Sequence, residues 1–182
     1  MTILGLDGRI TVETADTVNP ADTVRQQNPL GKIPALVLDD GMVLFDSRVI
    51  LEYLDHLAGG GRIIPTEPKA RFSALRLQAL ADGIMDASIL LIYEGRWRDP
   101  AKHEPKWVEH QTGKVARALA SLEAAPPARD ATPTVGQIAL ACALAYQDFR
   151  FHGAWRKDHP RLVKYLDGFA AAVPAFAATK PS

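Results

Sequence analysis

Apolar positions recur with two different periods along this chain, and the change falls between residues 62 and 68. Ile10 to Thr14 alternates apolar and polar, as a half-buried strand does, with Ile10 and Val12 on one face. A polar, proline-bearing connection follows from Asp16 to Pro29. Ala35–Leu38 and Met42–Phe45 are short β-rich runs separated by Asp39-Asp40-Gly41, a strong hairpin signal. From Ser47 to Leu57, Val49, Ile50, Tyr53, Leu54 and Leu57 recur at helical spacing, and Gly59-Gly60-Gly61 ends the helix and opens a linker through Pro65 and Pro68.

Beyond the linker the period is helical almost throughout. From Lys69 to about Trp97, Leu77, Leu80, Ile84, Ala87 and Leu91 form one seam, and Met85, Ile89 and Ile92 a second. Two seams predict a helix that contacts more than one neighbour. Further helices are predicted over Trp107–Ala124, from Thr134, and over His159–Ala172 with a break at Pro174. Thr134 and Gln137 have the spacing of a capping box, and Ile138, Cys142, Ala145 and Phe149 are the expected inward stripe of the helix they open. The reading is α/β plus all-α: residues 1–62 as one domain and 68–182 as an all-helical one.

Composition narrows the function classes. With 182 residues, 47% of them hydrophobic and 23% charged, the chain has enough apolar material for a core without metal or disulfide staples. Basic and acidic side chains balance at 21 each, so no global field recruits nucleic acid or an anionic membrane. The halves differ: residues 1–66 hold 5 basic and 9 acidic side chains, and the rest 16 and 12. No apolar run is long enough to span a bilayer, and the first ten residues lack the features of a signal peptide. The single Cys142 makes a reducing, cytoplasmic compartment the default and reads as a small buried hydrophobe rather than a nucleophile.

Several sites are excluded by spacing. There is no phosphate-binding G-x-x-x-x-G-K-[ST] and no G-x-S-x-G elbow. His103 and His110 are seven residues apart, roughly 10 Å along a helix, too far to share a metal; no metal site is expected. The informative stretch is Asn28 to Asp55. Pro34 lacks an amide proton and begins a strand at a sheet edge, which leaves the backbone of Ile33 free to pair with something extended; the other reading is that Pro34 blunts the edge against aggregation. Asp46 and Ser47 stand where the second hairpin strand turns into a helix. The helix start and the Ser47 hydroxyl suit a carboxylate and Asp46 an ammonium, so the pair suits an amino-acid zwitterion; either residue alone is equally an N-cap.

NPLGKIPAL, then DG, then LFDSRVILEYLD closely resembles the glutathione S-transferase family, and the likeness continues through ADGIMDA and TVGQIALACAL to cover nearly the whole chain. The resemblance implies a thioredoxin-like domain followed by a helical bundle, with a cis Ile33–Pro34 bond. It implies that the backbone at Ile33 and Pro34 meets the cysteinyl part of glutathione, and that Asp46 and Ser47 meet its γ-glutamyl end. Lys32 is the candidate for the glycyl carboxylate, with Gln27 and Arg25 as weaker ones. It further implies glutathione as co-substrate rather than a prosthetic group, a small hydrophobic electrophile lying between the domains, and a homodimer to which Arg76, Asp82 and Asp86 contribute; Met85, Ile89, Tyr93 and Trp97 form an apolar-aromatic series on the long helix that either faces the electrophile or serves core or dimer packing. The family usually has Asp where Gln137 stands.

One departure bears on catalysis. The family has a strand and a helix ahead of the segment that matches Ile10–Thr14, and its activating Tyr, Ser or Cys sits where they meet. Nine residues precede Ile10 here, too few for both elements, so MTILGLDG reads as the tail of that helix and the activating residue is expected before Met1. The expectation is a glutathione S-transferase-like protein with weak binding and slow turnover, or a non-catalytic binding or interaction module with the same fold.

Overall fold

The structure, a computed structural model that describes residues 1–179, divides into two compact units, Met1–Ile64 and the residues from Pro65 onward. Each is built from its own short list of buried apolar side chains.

In the first unit a 3-10 turn at Thr2–Leu4 ends at Gly5 and leads through an irregular segment to the short helix α1, Val24–Gln27. The segment is held by side chains: the Asp22 carboxylate accepts from the amides of Val24 at 2.8 Å and Asp16 at 2.7 Å. Those two amides hold the Asp22 carboxyl below its ordinary range, Val24 contributing most. The strand expected at Ile10–Thr14 is not formed. The described residues hold one two-stranded sheet, and nothing in it pairs with this segment; without a partner its amides find no ladder, and Val12 is 75% exposed.

The hairpin forms as predicted but shorter. Strands β1, Leu36–Val37, and β2, Val43–Leu44, pair antiparallel with Leu36 opposite Leu44 and Val37 opposite Val43. The turn is closed by Gly41 N–H to Leu38 C=O at 2.9 Å and by Met42 N–H to the Asp40 carboxylate at 2.9 Å, with Gly41 at φ 88, which a side chain would oppose. Helix α2 spans Ser47–Leu57, with Ile50, Leu54 and Asp55 buried. Leu4, Leu6, Val24, Ile63 and Ile64 are the other buried apolar residues of the unit.

The glycine run after α2 is pinned rather than slack. Asp55, 4% exposed, accepts from the amides of Gly61 at 2.8 Å, Arg62 at 3.0 Å and Ile63 at 2.8 Å, while Gly59, Gly60 and Gly61 take positive φ to bring those amides round. Arg62 closes the unit by donating to the Leu4 carbonyl at 3.2 Å.

The second unit is helical: α3 (Pro68–Trp97), α4 (Pro105–Ala124), α5 (Val135–Phe151), α6 (Pro160–Ala172) and α7 (Pro174–Ala178), with 3-10 turns at Pro100–Lys102 and Ala154–Asp158. Glu67 caps α3 by accepting from Lys69 and Ala70 amides, and those bonds, Ala70 first, lower its carboxyl pKa. The capping box of α5 is present, Thr134 N–H to Gln137 at 2.9 Å and Gln137 N–H to Thr134 at 3.4 Å. Gln137 also donates to the Ala128 carbonyl and the Asp130 carboxylate, at 2.6 and 2.9 Å. An ionised Asp at this position could accept but not donate, which gives the amide a role of its own.

Two expected faces are corrected. The core side of α5 is Ala139, Leu140, Ala143, Leu144 and Gln147, whereas Cys142 and Phe149 are exposed and Ile138 and Ala145 half-buried. The helix is apolar nearly all round, so its period left the inward face open; close packing on α3 decides it. A Cβ built at Gly136 would fall 2.8 Å from the Leu77 Cβ and 3.2 Å from the Gln78 amide, and closer still to the Ala74 carbonyl. With Gln147 Nε2 donating to Ser88 at 2.6 Å, the contacts show α3 and α5 running side by side in the same direction. For the same reason the deep positions of α3 are mostly small or polar: Ala74, Gln78, Ala81, Asp82, Ala87 and Ser88 beside Ile84. The predicted Leu77 and Leu80 are half-buried, packed against that core. Although Cys142 is exposed as a residue, enough protein surrounds its sulfur that desolvation, then the Asp82 carboxylate, raises the thiol pKa, so it stays protonated.

Replacing Gly136 by Ala is expected to cost about 3 kcal/mol through overpacking against backbone, whereas Gly83→Ala, where a Cβ meets nothing within 4 Å, should stabilise α3 by about 1 kcal/mol; urea unfolding of the two variants checks both signs. Asp55→Ala, which leaves three amides without their acceptor, should cost about 3 kcal/mol and speed hydrogen exchange at Gly61 and Ile63.

Candidate functional site

The hairpin register places the candidate residues. Pro34 precedes Leu36 by two residues and Asp46 follows Leu44 by two, so antiparallel pairing of Leu36 with Leu44 delivers both to the same end of the hairpin. The Ile33–Pro34 bond is cis, as is Phe45–Asp46. Ile33 is 60% exposed, and among the described residues neither its amide nor its carbonyl enters a backbone hydrogen bond. Lys32 and Pro34 are exposed beside it.

Across from them α2 begins. Asp46 is its N-cap, with Oδ1 accepting from the Arg48 amide at 3.0 Å, and it remains exposed; Ser47 is the first helical residue and half-buried. A helix start carries amides with no intrahelical partner and the positive end of the helix dipole. The capping reading of Asp46 therefore holds, and it leaves the second carboxylate oxygen outside the cap. The arrangement offers an extended ligand an unpaired donor and acceptor at Ile33, and offers a zwitterion a carboxylate beside a helix start.

The loop that presents Ile33 is organised by Asn28, 2% exposed, a residue to which the sequence reading gave no role. Its Nδ2 donates to the Lys32 carbonyl at 2.9 Å, its Oδ1 accepts from Leu30 N–H at 3.0 Å, and its carbonyl accepts from Gly31 N–H at 2.8 Å. An Asn-Pro pair is itself a turn signal, so a cue was present in the sequence. The weaker candidates are less well placed for a ligand: Arg25 donates to the Thr17 carbonyl at 3.3 Å, and Gln27 is half-buried in α1.

In the second unit Met85, Ile89, Tyr93 and Trp97 share one face of α3 at four-residue spacing. Met85 packs against the core and Ile89 is half-buried, while Tyr93 and Trp97 are 40% and 63% exposed. Of the residues expected at a subunit contact, Asp82 is buried and Arg76 and Asp86 are exposed. His110 is exposed and stacks on Trp107, and no cluster of metal-ligating side chains occurs among the described residues. No helix among them is long and apolar enough to cross a membrane.

Residues 1–57 match the family described as glutathione S-transferase, N-terminal domain, and residues 105–168 the one described as glutathione S-transferase, C-terminal domain. An uncharacterized GST-like protein of Escherichia coli K12, YibF, is 34% identical over all of this chain and 92% of its own length. Among solved structures, a glutathione transferase family member from Pseudomonas fluorescens Pf-5 with bound glutathione is 45% identical, covering 99% of this chain and 91% of that one at a TM-score of 0.89. A second structure from that organism, with bound S-(propanoic acid)-glutathione, is 43% identical over 100% and 92%, at a TM-score of 0.85. This chain belongs to the glutathione S-transferase family.

Asn28→Ala should leave the Lys32 carbonyl and Leu30 amide without partners and cost about 2 kcal/mol; loss of hydrogen-exchange protection confined to residues 28–33, together with a lower melting temperature, checks this, and an unchanged exchange pattern would contradict it.

Proposed function

We propose that this chain binds glutathione through its first unit, and that the reaction it serves is transfer of the glutathione sulfur to a small electrophile. The observation that supports this most is the unpaired amide and carbonyl of Ile33 at the same end of the hairpin as the Asp46–Ser47 helix start. The cysteinyl backbone of the tripeptide pairs with Ile33 beside Pro34, its γ-glutamyl ammonium meets Asp46, and its γ-glutamyl carboxylate meets Ser47 and the first amides of α2. Lys32 takes the glycyl carboxylate. The bound glutathione of the relatives supports the ligand, and S-(propanoic acid)-glutathione, substituted at sulfur, supports conjugation.

Glutathione enters as co-substrate, and the apolar electrophile is assigned to the α3 face of Met85, Ile89, Tyr93 and Trp97. In the first unit the one serine is Ser47 and the one tyrosine Tyr53, both on α2, and there is no cysteine. Neither hydroxyl is assigned the task of lowering the thiol pKa, so conjugation by this chain is expected to run slowly. Family membership supports a homodimer and a role in detoxification. A lone, protonated cysteine fits a reducing cytoplasm. The second reading, a module that holds glutathione or a protein partner without chemistry, shares the same binding residues.

Asp46→Asn separates ligand from cap, because Asn caps a helix about as well as Asp. It should leave the melting temperature within about 2 °C and weaken glutathione binding at least about tenfold. Calorimetric titration alongside a thiol-conjugation assay decides between the readings: binding with turnover supports transfer, binding alone the non-catalytic module, and no binding overturns glutathione as the ligand in either.

A further inference from the structure

Helix α3 keeps one side clear of the core. At about 100° per residue, Phe72, Arg76, Ala79, Gly83, Asp86 and Leu90 fall within an arc of about 80°. Their alternating spacing of four and three residues is that of a seam along which two helices pack. All six are exposed, Phe72 at 68% and Leu90 at 37%, and a Cβ built at Gly83 meets nothing within 4 Å. Ala74, Gln78 and Ser88, which meet α5, lie on the opposite side of the helix.

The two charges in this stripe are unspent. Neither Arg76 nor Asp86 enters an ion pair among the described residues. They stand about 15 Å apart along the axis, so they cannot pair with each other within one helix. Asp82, which the resemblance grouped with them, is buried and lies outside the stripe.

The stripe complements itself when one copy is reversed. Counting outwards from the level of Ala81, Ala79 answers Gly83, Arg76 answers Asp86 and Phe72 answers Leu90. A two-fold axis at that level lays a second α3 antiparallel on the first and matches small with small, cation with anion and apolar with apolar. Each match then occurs twice, as a contact between identical surfaces requires. The smallest side chains stand at the crossing, where the helix axes come closest, and Phe72 and Leu90 stand at the ends, where the axes diverge. An exposed phenylalanine alone would need no explanation. A stripe that complements itself about one point does, since an unrelated partner would not require it, and the occupant it specifies is a second copy of this chain.

We propose that α3 pairs antiparallel with α3 of a second copy about a two-fold axis at the level of Ala81. Arg76 then meets Asp86 of the partner subunit, and Phe72 packs against Leu90 of the partner subunit, in both directions. The inference rests on the homodimer reading given above, to which it adds the surface, the direction and the register. It does not depend on glutathione binding. The charge pairs set register and partner choice, and the apolar ends supply most of the affinity.

Sedimentation of the full chain over a concentration series reads the dimer, and the wild-type chain is expected to self-associate reversibly. Arg76→Glu sets carboxylates face to face at both contacts and Asp86→Arg sets guanidinium groups there, so each variant alone should self-associate at least about tenfold more weakly. Mixed together, the two variants should pair, because each introduced charge meets its opposite while native Arg76 and Asp86 meet as before. The double variant, Arg76→Glu with Asp86→Arg, should recover self-association to within about threefold of wild type. Both positions are exposed, so melting temperature and glutathione affinity should be unchanged. Phe72→Ala should weaken the dimer about tenfold and keeps the test available if a charge reversal fails to fold. A wild-type chain that stays monomeric would overturn this surface and the homodimer reading together. A dimer indifferent to both reversals and to Phe72→Ala, or reversed variants that do not pair when mixed, would overturn the proposed pairing and leave the homodimer reading standing.

Discussion

Two pairs of facing residues, Leu36 with Leu44 and Val37 with Val43, fix the geometry on which the first unit's chemistry depends. Side chains in a strand alternate between faces, so a slip of one residue would turn Leu36 and Leu44 outward and shift Asp46 away from Pro34. A ladder this short is marginal by itself. Its register is specified instead at its ends: at the turn by Asp40 and Gly41, and at the open end by Asp46, which finishes the hairpin and caps α2 with the same residue. Asn28 serves the other approach, shaping the loop into Pro34 so that the Ile33 backbone stays free of internal pairing.

Buried polar side chains recur as the devices that join elements in both units. Asp55 gathers three amides of the glycine run, Gln137 ties the start of α5 to the loop before it, and Gln147 reaches Ser88 across the α3–α5 contact. Each is satisfied, as burial demands.

Much of the architecture was legible because it rests on local signals. The Asp-Gly turn predicts the hairpin, and the Thr134–Gln137 box and the long period from Lys69 predict the start of α5 and α3 nearly to the residue. The misreadings came where a distant partner decides. Ile10–Thr14 has the pattern of a strand and no strand beside it, and α5 is apolar on too many sides for its period to reveal that Gly136, not Cys142, marks the inward face. Asp55 carried a readable hint, since an acid in a helix's last turn opposes the dipole and so implies a local task. The residues proposed to meet glutathione, Ile33, Pro34, Asp46 and Ser47, were singled out by the resemblance together with the helix-start argument.

The central claim is that glutathione lies along Ile33 and is gripped where α2 begins. It is tested most directly by following the backbone amides of the full chain by nuclear magnetic resonance as glutathione is added. The account predicts saturable shifts concentrated at Ile33, Ser47 and Arg48, with matching dissociation constants. Shifts absent from these three amides, or confined to residues beyond Pro65, would contradict it.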